Sequence, residues 1–129
     1  MNQSRPIALL LLSVVGMLAL IVFEIMRGMI GAEATEMMIP LVIMVCIACS
    51  PVILLTAFSA RWAYWSAMVV AALLSAFHAL HLVEHAVGGD YAILALIVVA
   101  MLIPTASATY LLWNGRSESP GHATLLAAS

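Results

Sequence analysis

Residues 63–113 read AYWSAMVVAALLSAFHALHLVEHAVGGDYAILALIVVAMLIPTASATYLLW, and this stretch decides the fold. It contains two apolar runs, Ala63 to Val87 and Tyr91 to Trp113, separated only by Gly88-Gly89-Asp90. Each run exceeds the roughly 20 residues a helix needs to cross the hydrocarbon of a bilayer. Glycine reaches positive φ without a steric penalty, so the triplet predicts a tight turn that folds the second run back along the first.

The pattern repeats upstream, where Ile7 to about Met26 and Met37 to about Phe58 form two further apolar runs. The chain therefore reads as an all-α integral membrane protein with four transmembrane helices in an up-down bundle. The bundle occupies 1–113, with spans near 7–26, 37–58, 63–87 and 91–113. A polar tail, 114–129, is expected to be disordered. Composition agrees, since 66% hydrophobic and 8% charged residues with a mean hydropathy of +1.20 lie far from a water-soluble domain. A chain of 129 residues leaves no room for a separate soluble domain beside four spans. The first run is too long for a signal-peptide core and no small-x-small site follows Phe23, so it is expected to be retained.

Arginine placement predicts the orientation. Arg5, Arg61 and Arg116 fall on one side of the bundle, and Arg27 falls on the other with Glu33, Glu36 and Asp90. Positive charge is held on the cytoplasmic side, so both termini are expected there. The expected location is the bacterial inner (plasma) membrane. With a net charge of −2 and no lysine, the chain has no basic patch for phosphates, and nucleic acid is not an expected partner. The expected partners are the lipid bilayer and either further copies of the chain or a larger membrane complex.

With this orientation, the ionisable residues collect in the outer half. Glu24 lies near the outer end of the first span, and His78, His81, Glu84 and His85 lie in the third. At 3.6 residues per turn, positions 78, 81 and 85 project within an arc of roughly 60°, with Glu84 beside them. Neutral imidazole is the commonest transition-metal ligand, and a carboxylate can complete or orient the shell. The candidate metal residues are therefore His78, His81, His85, Glu84 and Glu24, the last joining if the first helix packs toward the third. Copper, zinc and iron all suit such ligands. Met26, Met29, Met37 and Met38 near the outer surface would suit monovalent copper on its way in. Haem would need a second helix or subunit for its other axial ligand. The plainer reading is that these side chains hydrogen-bond water, headgroups or neighbouring helices. For Glu24, that reading pairs it with Arg27 at i+3.

Cys46 and Cys49 stand at i, i+3 in the second span, a possible soft-metal or redox pair or simply small packing residues. Pro51 and Pro104 each remove a backbone hydrogen bond inside a span, with Thr105, Ser107 and Thr109 at hand for freed carbonyls. Ala67, Ala71, Ala72, Ser75 and Ala76 form the predicted close-contact surface of the third helix. Trp62, Tyr64, Trp65, Tyr110 and Trp113 are expected to anchor the cytoplasmic interface. No nucleophile-base pairing or nucleotide loop is present, so catalysis is not expected. Three functional classes follow: a protein that binds or transports a transition-metal ion, a non-catalytic accessory or scaffold subunit of a membrane complex, and a small proton-coupled transporter using Glu24.

Overall fold

The computed structural model describes residues 3–26, 34–89 and 91–118. Arg27, Met29, Glu33, Asp90 and His122 lie outside the described residues, as do the side chains of Glu36, Met37 and Met38. The described chain is helical throughout, with no strand: α1 Ser4–Met26, α2 Ala34–Ala57, α3 Arg61–Gly88, then a fourth rod made of α4 Tyr91–Ile97, a π-helical segment Val98–Leu102 and α5 Ile103–Asn114. A single 3₁₀ turn, Arg116–Glu118, follows. Four stretches are long and apolar enough to cross a membrane: Ser4–Glu24, Ile39–Ala57, Arg61–Gly88 and Tyr91–Asn114. The bounds match the sequence reading to within three residues at either end.

The rods pack in cyclic order. α1 lies against α2, α2 against α3, α3 against the fourth rod, and the fourth rod against α1, so that α1 and α3 face each other across the diagonal. Gly89 ends α3 in the left-handed region at φ 74°, its N–H donating to Ala86 O at 3.2 Å. That is the turn the glycines predicted. The outward faces are apolar on every rod, as at Val15, Val22, Ile43, Ile53, Leu73, Leu80 and Val99. A bundle bathed in water would carry polar side chains there.

Two packed layers fill the interior. Near the chain termini, Leu10, Leu55, Tyr64, Ala67, Met68, Ala71, Ala108 and Leu112 form one cluster. The small contact face of α3 is Ala63, Ala67 and Ala71, each fully buried. Ala72 and Ala76 point outward, off that surface, because they sit a residue out of its i, i+4 register. Tyr64 is 1% exposed and donates its hydroxyl to Leu112 O, so it is a link between α3 and α5 rather than an interfacial anchor. Trp62, Tyr110 and Trp113 do lie exposed, and Trp65 meets Trp113 edge-on. The second cluster, Met17, Leu20, Ala48, Leu74, Ile93, Ile97 and Met101, lies toward the other end.

Of the prolines inside the helices, Pro51 and Pro104 are accommodated by local hydrogen bonding. Pro51 cannot donate to Ile47 O, and the neighbouring Ser50 Oγ donates to that carbonyl at 2.8 Å instead. Pro104 follows the π segment, in which Ile103 N–H reaches Val98 O. Thr105 Oγ1 donates to Met101 O at 2.8 Å and Thr109 Oγ1 to Thr105 O at 2.8 Å. The π segment shifts the register of the rod, and Ala100 backbone comes against α1 at Gly16. A Cβ at Gly16 would sit 2.8 Å from both Cβ and O of Ala100, so only glycine fits the crossing.

Candidate metal centre

α1 and α3 run in the same direction, which brings Glu24, near the end of α1, level with His81 and His85 near the end of α3. The three side chains meet across the diagonal of the bundle. His85 Nε2 lies 3.2 Å from His81 Nε2 and 3.7 Å from Glu24 Oε1. One ligand atom from each of the three fits within a span of 4.8 Å, the one such group of His, Cys, Asp or Glu found among the described residues. Glu24 and His85 side chains are 19% and 16% exposed. Arg27, the alternative partner for Glu24, lies outside the described residues.

The remaining predicted ligands stand apart from this convergence. Glu84 Oε2 is 3.4 Å from His81 Nδ1, on the far edge of the imidazole, and its side chain is 75% exposed. It is placed to orient His81 rather than to share an ion with it. Phe77 stacks on His81 with ring planes 9° apart and centroids 6.1 Å apart, fixing the ring from its face. Ring edge and ring face are thus both held. His78, one turn deeper than His81 on the same stripe, is 1% exposed and its Nδ1 has no hydrogen-bond partner. Cys46 is exposed and Cys49 half-buried, both as free thiols outside the group. Met26, predicted to guide an ion, is 81% exposed.

A cavity of about 180 Å³ adjoins the cluster. Glu24 and His81 supply its polar lining, and the rest is apolar, including Met17 from α1, Met44 from α2, Phe77 from α3 and Met101 from the π segment. Sequence reading missed these methionines. Met17 had a signal, because it stands seven residues before Glu24 and therefore on the same face. Met101 had none, because its direction depends on the π register.

Two nitrogens bound to one tetrahedral zinc at about 2.0–2.1 Å lie about 3.3 Å apart. The 3.2 Å between His81 and His85 is that edge. The 3.7 Å from His85 to Glu24 needs a shift of a few tenths of an ångström to match it, and the group as a whole, spread over up to 4.8 Å, must close further around an ion. A three-ligand N₂O set leaves a fourth position open. Comparison with family models, with curated proteins and with solved structures finds no match to this chain, so the side chains themselves carry the functional reading.

Proposed function

We propose that this chain is an integral membrane protein that binds a transition-metal ion through Glu24, His81 and His85. The observation that supports it most is the meeting of a carboxylate and two imidazoles from diagonal helices inside a mostly apolar bundle. Ionisable side chains are costly at membrane depth and are kept there for function. Glu84 holds His81 in register. Both termini face the cytoplasm, as Arg5, Arg61 and Arg116 at their end indicate, which puts the metal centre toward the outer surface. The apolar outer face of α2, with Ile39, Val42, Ile43 and Ile47, contacts lipid or the helix of a partner.

Elemental analysis of protein purified in detergent without a histidine tag tests the reading. Near-stoichiometric copper, zinc or iron is expected in the wild type and is lost from His81→Ala/His85→Ala, with His122→Ala unchanged. Equal loss from all variants, or no metal in any, would sink the site.

A second reading has its own observation. Glu24, His85 and His81 form a continuous polar chain, and His78 lies deeper on the same stripe. Such a chain is a path for protons. A metal-free protein whose Glu24→Gln variant loses proton uptake in vesicles would favour this reading.

A further inference from the structure

The cavity beside the metal centre carries a distinction that the His/Glu cluster alone does not. Three thioether side chains from three different rods, Met17, Met44 and Met101, border the same space as Glu24 and His81. Met17 and Met101 are 5% and 1% exposed. Methionine commonly serves as a flexible filler of irregular gaps. Here the three border a half-open cleft of about 180 Å³, shared with the apolar Leu20, Ile21, Leu41 and Phe77 and the polar Glu24 and His81. The approach of Met101 also depends on local departures from ordinary helix: the π segment Val98–Leu102 and the glycine contact at Gly16 that accommodates it. Single-turn π segments inside α-helices occur frequently at functional sites.

Thioethers are soft ligands that select Cu(I) and its analogue Ag(I), while zinc is held by imidazole and carboxylate. We infer that the site takes a soft monovalent ion, Cu(I) in nature, bound between His81 and the thioethers of Met17, Met44 and Met101. This rests on the metal-binding reading above, shares His81 with it, and gives the soft ion a sulfur set in place of Glu24 and His85. Zn(II) or Co(II) would use the Glu24, His81 and His85 set without the sulfurs, so the two ion classes separate the two claims.

The test titrates wild type and the Met17→Leu/Met44→Leu/Met101→Leu variant with Ag(I), which needs no reductant, and in parallel with Co(II). Leucine conserves volume closely enough for the core to tolerate it. The variant is expected to lose Ag(I) affinity by at least about tenfold, the smallest loss that follows disruption of a metal site's supporting shell, and to keep its Co(II) affinity. Unchanged Ag(I) binding in the variant would overturn the inference and leave the metal reading standing. Wild type that binds Co(II) and not Ag(I) would do the same, and wild type that binds neither would overturn both. X-ray absorption on Cu(I)-loaded wild type tests the claim without any variant: sulfur neighbours are expected, and a shell of nitrogen and oxygen alone would overturn it.

Discussion

At the end of the bundle that carries Arg61 and Trp113, buried hydroxyls give their hydrogens to backbone carbonyls, Tyr64 to Leu112 and Ser13 to Leu10, and nearer the middle Thr105 gives its own to Met101. At the end that carries Glu24 and His85, the polar side chains find their partners in one another. The first arrangement is closed, because every hydrogen already has an acceptor, and small residues on α3 let backbones approach with little space left over. The second keeps two imidazoles and a carboxylate facing inward beside a cavity. In a membrane, water cannot satisfy stranded polar groups, and on the reading proposed above an ion or a proton completes the second end. The difference teaches that one bundle can separate a scaffold layer from a chemical layer along its own axis.

Substitutions can break that division. His85→Ala removes the atom that touches both other members of the cluster, and Co(II) affinity is expected to fall by at least about 100-fold, measured by competition with a chelating dye. Its melting in detergent should change far less. Gly16→Val forces a side chain into Ala100, and an overpacked contact of this kind costs about 1–3 kcal/mol. Because Met101 follows Ala100, this variant is expected to lose both stability in a detergent melt and Ag(I) binding, linking the two layers. Glu84→Gln keeps the shape but weakens the orientation of His81, and about a tenfold loss of metal affinity is expected. Tyr64→Phe removes one interhelical hydrogen bond, worth about 0.6 kcal/mol inside a bilayer, so it should lower the melting midpoint slightly and leave metal affinity unchanged. A Tyr64→Phe variant with impaired metal binding would show that the two layers are not separable. Smallest of all, Cys46→Ala/Cys49→Ala is expected to alter neither quantity in the same assays, since both thiols lie outside the cluster.

Much of the fold is legible in the amino-acid sequence. The four runs are long and apolar enough that only helices could hold their backbone polar groups satisfied in hydrocarbon, and Gly89 marks its turn through the one backbone region that L residues avoid. The imidazole stripe was legible for the same reason, since three residues at i, i+3 and i+7 share a face on any straight α-helix. Tyr64 was misread because an aromatic near the end of an apolar run resembles an anchor, and only the neighbouring Leu112 carbonyl shows that it turns inward.

The sequence by itself determined the number, length and polarity of the helices and the face on which His78, His81 and His85 lie, because these depend on local covalent geometry and on the solvent. Tertiary structure alone decided that Glu24 meets His81 and His85 across the diagonal and that Met17, Met44 and Met101 border one cavity. Those contacts depend on the order in which the rods pack, the π register before Pro104 and the close approach at Gly16. Each is a relation between residues distant along the chain, and helical periodicity within one rod carries no information about its rotation against another.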